Sequence, residues 1–76
     1  MPSTAIRRYA YRPDAGALDL EFITGRVYRY VAVPPTVAEG FSRVRSEGGY
    51  FNRTIRDRFD FVPLSSWDDP DNIAAD

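Results

Sequence analysis

Apolar and polar positions alternate in the first half of the chain and recur at helical spacing in the second. Leu18, Leu20 and Phe22 alternate with Asp19 and Glu21, which predicts a strand over residues 17–23 with one apolar and one acidic face. Upstream, residues 3–11 read as a first strand, with Tyr9 and Tyr11 on one face and Ile6, Arg8 and Ala10 on the other. Large apolar groups and arginine fall on both faces, so a bulge near Ala10 is expected to reconcile them. Between these strands, Arg12-Pro13-Asp14-Ala15-Gly16 is a turn, with φ fixed by proline and a positive φ open to glycine.

The stretch Gly25–Pro34 leaves a tight turn as a third strand and stops at proline. A two-residue type I′ turn would require φ > 0 at Thr24, which a β-branched residue resists. A three-residue loop with Gly25 in the left-handed region and a bulge avoids that cost. It sets Phe22 opposite Arg26, Leu20 opposite Tyr28, Leu18 opposite Tyr30 and Asp19 opposite Arg29. A slip of one residue would reverse every side chain. In the favoured register Tyr28 and Tyr30 join the leucine face, and Arg29 meets Asp19 on the solvent face, a pair worth roughly 0.2–1 kcal/mol.

Pro34-Pro35 opens a helix, with a capping box expected from Thr36 and Glu39. Val37, Phe41 and Val44 form its apolar stripe, and Glu39–Arg43 is an i,i+4 pair on the opposite side. Gly40 is expected where the helix lies close to the sheet. Gly48-Gly49 is read as the helix terminus, Gly48 in the left-handed region. A second helix follows from Tyr50 to Phe59, with Phe51, Ile55 and Phe59 in line. The expected fold is α+β: a three-stranded antiparallel β-meander, then two short α-helices packed on one face of the sheet. These elements make up a body at residues 1–59, and residues 60–76 are an acidic, partly disordered extension. Phe61, Val62, Leu64 and Trp67 can dock on the body as an extended arm.

Composition narrows the function classes. With no cysteine and no histidine, thiolate or imidazole metal sites and the commonest general base are excluded. Asp19 and Glu21 share a face read as exposed, so the expectation is a protein without catalytic activity, cofactor or metal. Asp69-x-Asp71 has the start of a calcium loop but lacks its glycine and final glutamate. No apolar run suits a signal peptide or a membrane helix, so the chain is expected to be cytoplasmic, with no membrane partner. Residues 1–59 carry ten arginines against six acids, leaving +4, whereas residues 60–76 carry five acids and no base.

The ordered set Ser3, Ile6, Leu18, Phe22, Gly25, Tyr28-Arg29-Tyr30 and Val33-Pro34, followed by Ser46-x-Gly48-x-Tyr50-Phe51-Asn52-x-x-Ile55-Arg56, resembles the KTSC family. That short domain is named for its occurrence at the carboxyl end of some lysyl-tRNA synthetases, and it also occurs as a stand-alone bacterial protein. The resemblance spans roughly residues 3–59. Ala10, Arg12 and Val44 depart from it, standing where glycine, aspartate and alanine are expected. RNA binding is the function that the synthetase association implies.

Two kinds of surface are therefore expected to matter. Arg26 and Arg29 from the hairpin, with Arg53 and Arg56 from the second helix, form a candidate phosphate-binding set, and Tyr28 and Tyr30 a candidate stacking pair. The register argument favours the tyrosines as core, and the modest +4 of the body favours the arginines as a solvated, salt-bridged face. Arg29 is the first of the set to test. The expected partner is RNA or tRNA. The alternative is another protein, bound through a sheet edge or the Phe61–Trp67 arm. The acidic extension could compete with RNA for the arginines, in which case deleting residues 66–76 should tighten binding at low salt.

Overall fold

A computed structural model of the protein describes residues 5–67. Ser3 and the acids Asp68, Asp69, Asp71 and Asp76 lie outside the described residues, and with them the calcium-loop and disorder expectations. The elements run β1 (Ile6–Arg12), β2 (Ala17–Phe22), β3 (Val27–Tyr30), α1 (Pro35–Glu39), a 3-10 turn (Gly40–Arg43), α2 (Glu47–Thr54) and β4 (Phe61–Leu64). The strands form one antiparallel sheet in the order β1-β2-β3-β4.

The fold is α+β, but the sheet has four strands, not three. The fourth comes from the segment read as an arm: Val27 pairs with Leu64, Tyr28 with Pro63, Arg29 with Val62 and Tyr30 with Phe61. A four-residue stretch containing proline carries almost no strand signal. It fits here because β4 is an edge strand, where one missing N–H is tolerated.

The β2–β3 hairpin adopts the expected register, with Leu18 opposite Tyr30, Asp19 opposite Arg29 and Leu20 opposite Tyr28. Gly25 has φ 93°, and its N–H donates to the carbonyl of Phe22 at 2.9 Å. The β1 bulge lies between Ile6 and Arg8, not near Ala10. Arg7 is the extra residue, and its guanidinium donates to the Ile23 carbonyl at 3.2 Å. Absorbing Arg7 keeps Ile6 on the face of Tyr9 and Tyr11, opposite Phe22, and turns Arg8, Ala10 and Arg12 to the other face.

The helical layer differs more. The Thr36–Glu39 capping box does not form: Pro34 is the N-cap, without a side-chain cap bond, and Pro35 starts the helix. α1 tightens to a 3-10 turn at Gly40, and Val44 is already extended. Gly40 is required by α2, not by the sheet. A Cβ there would overlap the Tyr50 side chain, whose hydroxyl donates to the Val37 carbonyl at 2.7 Å. α2 begins earlier than expected, because Ser46 is its N-cap and accepts from the Gly49 N–H at 3.0 Å. Gly48-Gly49 therefore lies in the first turn of α2 and does not terminate α1, and neither glycine has a positive φ. α2 also ends earlier than expected, at Thr54 with Ile55 as its C-cap, so of the predicted stripe only Phe51 lies within the helix. Phe51 and Ile55 are buried, and half-buried Phe59 lies beyond the helix.

This layer and the front face of the sheet enclose one apolar core containing Leu18, Leu20, Phe22, Tyr30, Val33, Ala38, Phe41, Phe51 and Ile55. Phe41 stacks at 4.9 Å on Tyr9 and meets Tyr50 edge-on at 5.0 Å. The chain reaches this face from β3 through Ala32, whose φ of 57° is rare for a residue with a Cβ. Val33 is then fixed by the Gly16 carbonyl and by the Tyr11 hydroxyl, at 2.9 and 2.6 Å.

Candidate nucleic-acid interface

β3 sorts the candidate residues between the two faces of the sheet. Tyr28 and Tyr30 point to the front, the side of the helices, and Arg29 points to the back. Arg26, opposite Phe22 just before the strand, has the front parity and is exposed. Arg53 and Arg56 are exposed on and just after α2, in the front layer. The structure thus brings Arg26, Tyr28, Tyr30, Arg53 and Arg56 to one side and separates Arg29 from them.

Tyr30 is core. It is 4% exposed and meets Phe51 edge-on at 5.4 Å. Burial pushes its hydroxyl up to about 12; the charge of Tyr28 adds to this, Arg56 opposes it, and Asp57 reinforces it. Tyr28 is only half-buried, edge-on to Phe22 at 5.8 Å and to Phe61 at 5.1 Å. Phe61 is 49% exposed and also lies 5.2 Å from Tyr30. Tyr28 and Phe61 therefore form a partly open aromatic rim on the front face, with Arg26 two residues before Tyr28 on the same parity. Sequence reading placed Phe61 on the arm and missed it as Tyr28's neighbour. Its register opposite Tyr30 becomes visible only once β4 is recognised.

The back face is not a solvent face. Every residue of β2 is buried, including Asp19 at 2% exposure, and Glu21. Arg29 forks onto Asp19, with Nε to Oδ1 at 2.8 Å and Nη2 to Oδ2 at 3.1 Å, and its side chain is 18% exposed. Arg12 Nε reaches Oδ2 at 3.4 Å, and Arg8 Nε donates to Glu21 Oε1. Trp67, beyond β4, lies over Arg8 with the guanidinium carbon 4.8 Å from the ring centroid. The expected Asp19–Arg29 pair is present, but its carboxylate is buried rather than solvent-facing. The missed signal was parity: Arg8, Arg12 and Arg29 all fall on the acidic face of β2 from its two neighbouring strands.

A meander of four strands with helices on one face, a buried ion network on the other and an aromatic rim describes a small α+β module. The sequence profile of the KTSC domain matches residues 2–59, and the chain belongs to that family. The lysine–tRNA ligase of Nostoc punctiforme is 37% identical over 62 residues, which is 82% of this chain and 11% of the ligase. An uncharacterized protein of Stutzerimonas stutzeri is 36% identical over 56 residues, 74% of this chain and 79% of that protein. The chain thus spans about a tenth of the length of the ligases it matches and most of the shorter relative. A KTSC domain protein from Yersinia pestis has a crystal structure that superposes with a TM-score of 0.76 at 26% identity, covering 84% of this chain and 90% of that one. No helix of the described residues is long and apolar enough to cross a membrane.

Proposed function

We propose that the protein is a small non-catalytic binding module that contacts RNA through the front rim. The observation that carries this reading is the pairing of half-buried Tyr28 with exposed Phe61, on the face of the sheet whose helical layer carries exposed Arg53 and Arg56. Partly open rings can hold unstacked bases, at roughly 1–3 kcal/mol per base, while neighbouring guanidiniums engage phosphates. The likeness to a segment of lysine–tRNA ligases agrees with such a ligand. Arg29 is not among the proposed contacts, because its guanidinium is engaged by Asp19 on the other face.

Fluorescence anisotropy of labelled single-stranded RNA or tRNA tests this at low ionic strength. Binding should weaken steadily with added salt, as phosphate contacts require. Tyr28→Ala should lower affinity by about tenfold, and Arg56→Ala should reduce the salt dependence. Absence of salt-sensitive binding would sink the reading. A partner protein recovered after nuclease treatment, with no RNA bound, would favour the protein-interaction alternative. For that alternative Phe61 is the exposed apolar group of the arm, since the edge strand itself is short and holds Pro63.

A further inference from the structure

The back face holds a cleft of about 260 Å³ lined by Ala10, Arg12, Asp19, Val27, Leu64 and Trp67. Its origin lies in the register. Asp19 stands between Arg29 on β3 and Ala10 on β1. Arg29 fills its side with a two-point fork, whereas Ala10 ends at Cβ and leaves a gap. Arg12 must then reach diagonally from its place opposite Ala17, and its Nε meets the carboxylate at only 3.4 Å.

That long contact leaves Arg12 as the open donor of the cleft. Its side chain is 43% exposed, and a guanidinium has five N–H groups to offer. Asp19, by contrast, already accepts from both arginines. Of the network's three arginines, only Arg12 lines the cleft. The remaining walls are apolar or aromatic: Val27, Leu64 and the indole of Trp67, which Arg8 holds in place. A space of this volume, slightly below the usual ~300–1,000 Å³ of small-molecule pockets, suits a ligand no larger than one flat base with a sugar and one anionic group.

We infer that this cleft binds a nucleoside monophosphate, with the flat base against Trp67, Val27 and Leu64 and the phosphate on Arg12. The same chemistry is offered by a free nucleotide and by the phosphorylated end of an RNA. The inference stands apart from the front rim, on different residues of the opposite face.

The test is a titration of the ¹⁵N-labelled full chain with AMP, followed by amide and indole NMR shifts. Saturable shifts should appear at Ala10, Val27, Leu64 and the Trp67 indole. Adenosine, without the phosphate, should bind at least about tenfold more weakly, as should AMP to Arg12→Gln. Ala10→Leu, which fills the gap without removing a charge, should abolish the shifts while the spectrum stays dispersed. Should that variant not fold, Arg12→Gln and the adenosine arm still decide. A 5′-phosphorylated octanucleotide that reproduces the back-face shifts, where its 5′-hydroxyl counterpart does not, assigns the source to an RNA end; AMP alone producing them assigns it to the free nucleotide. The inference is overturned if AMP gives no saturable back-face shifts, or if folded Ala10→Leu binds it unchanged. Shifts at Tyr28 and Phe61 report the front rim separately, so either reading can fail without the other.

Discussion

β2 buries both of its faces, and the two are held by different physics. Toward the helices, Leu18, Leu20 and Phe22 pack into an apolar core, where contacts are non-directional and a lost methyl leaves a void. Toward the back, Asp19 and Glu21 are covered by Arg8, Arg12, Arg29 and Trp67. There the charges have given up much of their hydration, and the fork of Arg29 on Asp19 compensates only while both partners are present. The front supplies stability from any well-fitted hydrocarbon. The back depends on one particular pairing, which also fixes the strand register. Both faces should lose stability on a single truncation, but only on the back should a second, matching substitution restore it.

The largest effect is expected at the front. Leu20→Ala should cost about 3–4 kcal/mol in urea unfolding, because a fully buried leucine is replaced beside aromatic rings that collapse poorly. In a domain this small that loss leaves little margin. On the back, Asp19→Ala should cost about 3 kcal/mol by removing the buried carboxylate onto which Arg29 forks and to which Arg12 reaches. The double variant Asp19→Val with Arg29→Val should recover most of that. If the double variant is as unstable as the sum of the singles, the back face is an apolar-type core after all and the contrast fails.

A smaller effect depends on pH and belongs to the front. Tyr30 ionises near 10 when unfolded but at about 12 when folded, so the folded state favours the neutral hydroxyl. Its contribution is fully present below pH 10 and is lost as pH rises toward 12, by at most roughly 2–3 kcal/mol. Tyr30→Phe should flatten the alkaline limb of the stability curve, and an unchanged limb would contradict the burial assigned to this ring. The smallest effect is at the helical junction. Gly40→Ala should destabilise by about 1–2 kcal/mol despite alanine's better helix propensity, since its Cβ meets the Tyr50 side chain. Thermal unfolding of the variant checks it.

These contrasts also show what could be read from residues alone. The hairpin register was legible because Thr24 resists a positive φ and Gly25 accepts it, which settles the pairing of Leu18, Leu20 and Asp19. The burial of Phe51 and Ile55 was legible because it recurs at helical spacing, but the helix stops at Thr54, short of Phe59. The boundary before it was not. Gly48-Gly49 has the composition of a helix end, but Ser46 caps the next helix, and tertiary contact with Tyr50 decides where the previous one tightens. β4 was illegible as a strand because its evidence is long-range: four residues with a proline gain their conformation from β3. Missing β4 hid both halves of the functional picture. Without it Phe61 has no place beside Tyr28, and Asp19 and Glu21 look exposed. The competition expected of the acidic extension is affected too, because deleting residues 66–76 would also remove Trp67 from Arg8. Truncation after Trp67 is the cleaner comparison, and tighter RNA binding at low salt is its expected result.

The most direct measurement is an amide shift map of the full chain titrated with short single-stranded RNA at low salt. The front-rim reading predicts saturable shifts at Arg26, Tyr28, Phe61 and Arg53–Arg56 that fade as salt rises. Shifts confined to the back face around Arg29, or none at all, would contradict it.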